Sequence, residues 1–572
     1  MGISNKKSAL ILLSLAALVA IAVLNLDLKK EKFNLPAKVD FNFHVRPILV
    51  QKCFLCHGPD SSSRKAGLRL DTREGATALL KSGNYAINTD HPDISELISR
   101  IEHKDPDMVM PPPDSKMLLT EKEKAILTKW VKQGAEWKPY WAFIVPDTTV
   151  FDKVKNIASN PVDFFIEEQL NENDLSASAE ADKNTLIRRV SYLLTGLPPS
   201  IEAIEQFTRD QSPDAYEKMI DRYIGSKFFG ERWARHWMDV VRYAETKGHE
   251  FDYAISGAWR YRDYLIRAFN DDIGYDQMVK EQLAGDLIEQ PRRNPETGAN
   301  ESHLGTVFLT MGEGLHSPVD IRQDEADRID NMIDVTSKAF QSLTVSCARC
   351  HDHKFDPIPT KDYYSLFGVM ESTRFSPVSA TSGIADEKRI SELEESQNKE
   401  RRAMAAAWIA DNKLSAVHAG YFQTINPAPA TTDPAYTMIG DFRKRNIGNW
   451  KADGLAFSNK TTLGNPVFDP QTKKLLYLDE GKASSRVNGT NIFGVLRSPN
   501  FTIANDSIAI RILGNNAFAR IIIDNFQLIQ YPIYGGIQRQ INSKEWNNIV
   551  FDVSSWKGHN AYIEIIPGIY ES

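Results

Sequence analysis

Cysteine is nearly absent from this chain, with four residues in 572. So thin a supply excludes a scaffold built on disulfides, which uses dense cysteine in place of a large core. Long basic runs are also missing and the formal net charge is -7, which excludes a nucleic-acid or polyanion binder. The residues from 155 to 375 hold no alternating stretch of useful strand length. What is present is ordinary for a globular protein, 42% hydrophobic and 25% charged. The length asks for about three or four domains rather than one core.

All four cysteines fall in two copies of one pattern. CFLCH supplies Cys53, Cys56 and His57, and CARCH supplies Cys347, Cys350 and His351. Two thiols separated by two residues match the two vinyl groups of a haem, and the histidine that follows becomes the proximal iron ligand. A shared zinc ion would need its halves within ribbon spacing, and these lie about three hundred residues apart. A thioredoxin-like redox pair would follow a strand in a βαβ unit, which neither motif does. The expected cofactor is haem c, two groups covalently held.

Haem is joined to such motifs outside the cytoplasmic membrane, so the chain is expected to be exported. Its first residues agree. Lys6 and Lys7 precede an apolar run from Ala9 to Leu26, broken only by Ser14 and Asn25. That run is just long enough to span hydrocarbon as a helix, and no small-residue cleavage pattern follows it. Residues 1–30 are therefore expected to anchor the chain in the cytoplasmic membrane, uncleaved.

Residues 40–138 read as a small all-α class I cytochrome c-like domain. Phe41, Val45, Ile48 and Leu49 form an apolar stripe at helical spacing leading into Cys53. Thr120 and Glu123 form a capping box ahead of Ile126, Leu127, Trp130 and Val131. Between the two lies MVMPPPD, where three prolines hold Met110 extended. A thioether fixed opposite the histidine raises the haem potential, so Met110 is the expected distal ligand. Met108 and Met117 are its replacements.

Residues 155–375 read as all helical, with the second motif near the end. The segments RRVSYLLTGLPPS, ERWARHWMDVVRYAET, WRYRDYLIRAFNDDIGYDQMVKEQLAGDL and CARCHDHKFDPIPTKDYY resemble the planctomycete-type cytochrome c proteins. That family joins an amino-terminal cytochrome c domain to a helical domain of unknown function. The resemblance implies export and haem and brings no reaction with it. For the second iron, His236 in WARHW is the candidate distal ligand, with His249, His303, His316 and Met311 behind it. His353 is placed as a turn residue. Arg232, Arg235, Arg242 and Arg260 are candidates to pair with haem propionates.

Residues 386–412 form a charged linker helix, and 427–435 are proline-rich. From 436 to 572 short apolar strands alternate with Gly, Asn, Asp and Pro, the pattern of an antiparallel β-sandwich. Its texture is similar to jelly-roll modules that accompany carbohydrate-active enzymes. A glycan is thus a candidate partner, with Trp450, Trp546 and Trp556 either stacking on sugars or filling the core. AYIEII is expected to be an unpaired edge strand, and the module to lack a strand.

The reading is an exported, anchored dihaem c-type cytochrome that passes single electrons to or from a redox protein or a quinol-linked partner. The alternatives are a haem-dependent oxidoreductase acting at the second haem, or a glycan-binding surface protein with an accessory haem domain.

Overall fold

A computed structural model describes residues 35–568, apart from 148–153, 155–159, 250–251, 316–317, 377, 379, 381–383, 412–435, 470, 473, 486–491 and 528–534. The expected anchor, the proline-rich stretch and His316 lie outside the described residues. No helix among the described residues is long and apolar enough to cross a membrane. The chain divides into two compact units, Met1–Ala177 with Cys347–Tyr363, and Ser178–Ser346 with Tyr364–Ser572.

The first unit is built as its apolar stripes require. A π-helical turn at Phe41–Val45 runs into α1 (Arg46–Lys52), and a single turn, α2 (Phe54–His57), carries the first motif. Asp40 caps the entry, its carboxylate accepting from the amides of Asn42 and Phe43. After α3 (Glu96–Ile101) comes α4 (Glu121–Lys132). The capping box forms at α4: the Glu123 amide donates to Thr120 Oγ1 at 3.2 Å and the Thr120 amide donates to Glu123 Oε2 at 2.7 Å. Both predicted stripes are inside. Phe41, Val45, Ile48 and Leu49 share one core with Ile126, Leu127, Trp130 and Val131. Phe41 and Trp130 rings meet at 5.7 Å, so the first and last helices close on one another.

In the second unit the helices α5 (Lys183–Thr195), α6 (Ile201–Arg209), α7 (Ala215–Ile224), α8 (Lys227–Val240), α9 (Ala258–Asn270), α10 (Tyr275–Ala284) and α11 (Ile321–Gln341) follow in turn. Side-chain caps start several of them: Asp182, Ser200, Ser226 and Asp320 each accept from amides of the first turn. Gly196 ends α5 in the left-handed region, where a side chain would be strained. Two buried carboxylates hold the helical part of this unit. Glu301 takes both nitrogens of Arg267 at 2.8 and 3.1 Å, and Glu281 accepts from Arg292 and from the Tyr264 hydroxyl.

After α12 (Thr360–Glu371), the expected charged linker helix is observed as α13 (Ile384–Asp411). The carboxy-terminal part is an antiparallel sheet of order β1-β4-β8-β6-β7, with β5 also pairing with β8. These strands are β1 (Lys451–Gly454), β4 (Gly494–Arg497), β5 (Phe501–Thr502), β6 (Ser507–Ile523), β7 (Gln538–Asp552) and β8 (Asn560–Ile566). A separate pair joins β2 (Pro466–Phe468) to β3 (Leu475–Leu478). The facing sheets of a jelly roll are thus reduced, among the described residues, to one six-stranded sheet and one two-stranded sheet.

One turn signal and one sequence expectation come out differently here. The stretch from Ser507 to Ile523 contains Gly514, Asn515 and Asn516, residues typical of turns, yet β6 runs through them. What forms there is a pair of register irregularities between Ile512 and Ala517, a bulge rather than a turn. AYIEII is not an edge. It lies at the centre as β8, bonded to β6 on one side and to β4 and β5 on the other. Ile563 pairs with Ile521, and Ile565 with both Leu496 and Ala519.

Candidate haem-attachment sites

The first motif sits where α1 gives out. The Cys53 amide still bonds to Leu49 O at 2.8 Å, and the Cys56 and His57 amides return to Cys53 O at 3.1 and 2.9 Å. One tight turn thereby carries both thiols and the imidazole. Phe54, between the two cysteines, is fully buried and nails that turn to the core. Gly58 must be glycine, because a Cβ there would meet Phe54 O at 2.4 Å. The following loop is tied back by Lys65 N to Cys56 O and Leu70 N to His57 O, at 2.8 and 2.7 Å.

Burial sets the chemistry of these groups. It pushes the Cys53 thiol up to about 12, with Cys56 and Glu123 adding to the effect. Burial also lowers the His57 imidazole, against a smaller opposing pull from the backbone of Lys65 and Leu68. A neutral imidazole is the form that ligates metal. The buried His57 Nδ1 has no hydrogen-bond partner among the described residues, an orphaned polar atom on the same turn as the two thiols. All four cysteines are free thiols, so none is committed to a disulfide. The residues present fit haem c.

Met110 lies 37% exposed, with its amide bonded to Arg100 O at 3.0 Å. Met108 is similarly exposed and its sulfur accepts from Arg100 Nη1 at 3.5 Å. Met117 is half-buried. His44 is occupied as an acceptor for the Asp40 amide at 2.8 Å.

At the second motif a 3-10 turn, Val345–Ala348, delivers Cys347, and Cys347, Cys350 and His351 are all exposed. His351 Nδ1 lies 2.7 Å from Asp352 O. In the tautomer that donates there, Nε2 keeps its lone pair for a metal. His353 is the turn residue expected. Its buried Nδ1 accepts from the amides of Phe355 and Asp356 at 3.2 and 2.9 Å, and its own amide donates to Ile358 O at 2.9 Å.

This turn belongs to the first compact unit, although it follows α11 in chain order. Arg46, only 8% exposed, donates from Nη2 to Phe355 O at 2.8 Å. The same guanidinium lies 5.9 Å from the Phe54 ring centroid and 4.6 Å from that of Tyr140. Burial lowers the Arg46 pKa, and Asp356, Tyr140 and Asp71 oppose that shift. Tyr140 in turn is raised by burial and then by the negative charge of Asp356. Asp60 is held at about 2 by hydrogen bonds from Ser62 and Ser63, with a weaker pull from His351. Arg46 was not singled out in the sequence. The signal was there as a lone cation inside the apolar stripe from Phe41 to Leu49.

His236 belongs to the second unit, exposed on α8 with its ring edge-on to Trp233 at 5.5 Å. Among the other residues weighed for haem contact, Arg242 is engaged by Asn331 Oδ1 and Phe308 O at 2.7 and 2.9 Å, and Met311 is buried. Arg260 lies over Trp259. In the sheet region Trp450 is core, its Nε1 donating to Ile439 O, and Trp556 packs against the same core. Trp546 is exposed under Arg511.

Residues 53–114 match the family described as Planctomycete cytochrome C. Residues 161–375 match the one described as Protein of unknown function (DUF1549). No curated protein and no solved structure matches the chain. A cytochrome c match that begins at Cys53, on a turn that presents two thiols and a neutral imidazole, defines a c-type cytochrome with covalently bound haem c. Such proteins receive haem outside the cytoplasm. The two matches, in this order along the chain, support a planctomycete-type cytochrome c family.

Proposed function

We propose that this protein is an exported dihaem cytochrome that carries single electrons, held at the membrane by residues 1–30. The observation that carries the reading is a complete set of attachment groups at both motifs: Cys53, Cys56, Cys347 and Cys350, none of them in a disulfide, followed by His57 and His351. The cysteines would hold the porphyrins, the two histidines would bind iron, and Met110 would be a further ligand at the first site. Haem supplies a one-electron couple whose potential follows its axial ligands and burial. The chain's part is to attach the group, keep His57 neutral through burial, and set the polarity around each iron. The electron donor and acceptor are a redox protein or a quinol-linked partner.

Mass spectrometry of the native protein should find two added haems. Cys347→Ala with Cys350→Ala should leave one. A single haem on the unaltered protein would remove the second motif from this reading. A high-spin second iron that binds cyanide would move the function to substrate chemistry at that site.

A further inference from the structure

The two attachment motifs are far apart in sequence, yet both fall in the first compact unit. Arg46 touches both. It starts α1, lies over Phe54 within CFLCH, and donates to the carbonyl of Phe355, four residues past His351. Around this contact the charges interlock. Asp356, Tyr140 and Asp71 each favour the Arg46 cation against its burial. A guanidinium suits this role because its flat face stacks on rings while its edge donates. Lysine could supply the charge without the face.

We propose that Arg46 is a positioning residue that clamps the second haem-attachment turn onto the first, so that the two haems are built as one interacting pair. The inference rests on the dihaem reading for its redox consequence, but the clamp itself concerns only this chain's residues. Haem held at Cys53, Cys56 and His57 and at Cys347, Cys350 and His351 would supply a one-electron couple at each turn.

The test uses the full-length exported protein, with Arg46→Ala, Arg46→Lys and Asp356→Asn. Hydrogen exchange of residues 347–363 should rise about tenfold or more in Arg46→Ala, the order expected for losing a charged hydrogen bond. Arg46→Lys should lie between that and the unaltered protein, and residues 183–340 should not change. Asp356→Asn, which leaves α1 intact, should loosen the same segment and keeps the question answerable if Arg46→Ala fails to fold. In the oxidised protein, magnetic interaction between the two irons should be visible by EPR and weakened in Arg46→Ala. Unchanged exchange over 347–363 in both Arg46→Ala and Asp356→Asn overturns the clamp. Two haems without any magnetic interaction overturn the pairing. One haem per chain would defeat the dihaem reading, and the exchange data would still judge Arg46.

Discussion

Trp130→Ala should strip the first unit of a large share of its stability. Trp130 is 1% exposed on α4, with its ring 5.7 Å from Phe41 and 5.4 Å from Trp137. Its Nε1 also donates to Glu136 O at 3.1 Å. Truncating a buried Trp to Ala costs about 3–5 kcal/mol, because the cavity only partly collapses. The lost hydrogen bond accounts for about 1 kcal/mol within that range. A change of about 4 kcal/mol is a large share of the roughly 5–15 kcal/mol that holds a typical domain. In amide exchange of the full-length protein, residues 41–54 and 120–137 should speed up by about a thousandfold. Trp130→Phe keeps a ring against Phe41 and should cost about tenfold. An increase below tenfold for Trp130→Ala would refute the claim that the first and last helices close through this ring.

Met110→Ala, made together with Cys347→Ala and Cys350→Ala so that only the first haem remains, should abolish the weak near-infrared methionine-to-iron band and lower the potential; an unchanged spectrum excludes Met110 as ligand. Glu564→Gln should lower the melting temperature of the second unit sharply, since a fully buried Glu564 accepts from Arg497 at 2.8 Å and also from Arg520. Removing one side of such a cluster costs about 3–5 kcal/mol, and an unchanged melt would show the cluster to be dispensable. Lys247 is lowered to about 8 by burial first, then by Arg242 and Arg328. Its folded pKa lies below the unfolded value, so the unfolded chain binds more protons between them. Stability should therefore rise as pH goes from about 8 to about 10.5, and Lys247→Met should flatten that slope, which spans up to about 3 kcal/mol. A slope that survives the substitution assigns it to another group.

Local signals carried far in this sequence. The stripes at Phe41–Leu49 and Ile126–Val131, the Thr120–Glu123 capping box and the charged helix before the sheet depend on neighbours within a turn or two, and the structure has them all. The sheet was legible as strands and not as an arrangement. Nothing within AYIEII says that it will be flanked on both sides, because its partners β4 and β6 come from elsewhere in the chain. Gly514 to Asn516 carry turn residues but sit inside a long pairing of β6 with β7, where two irregularities absorb them. Arg46 was illegible for a similar reason. Its partners Phe355 and Asp356 lie about three hundred residues away, and a single arginine in an apolar stripe does not name its acceptor.

The division of the chain follows from what residues 347–363 lack. Up to Thr360 the segment is a 3-10 turn and bends, with no regular element to satisfy its own backbone. Yet Ala348, His353, Ile358 and Tyr363 are buried. A short stretch of this kind cannot bury four side chains on itself, so it must borrow a surface. Within the first unit that surface includes the start of α1 and the Tyr140 ring, joined to it through Arg46. Continuity along the chain and membership of a folded unit are therefore separate matters here. The family match over 161–375 includes the second motif, while its folded partners come from the first unit. The same argument makes Arg46 costly to remove. It is buried, its guanidinium serves a carbonyl and two rings at once, and no apolar replacement could serve the carbonyl. A cation kept at such a position is better explained by the segment it holds than by the stability of α1 alone.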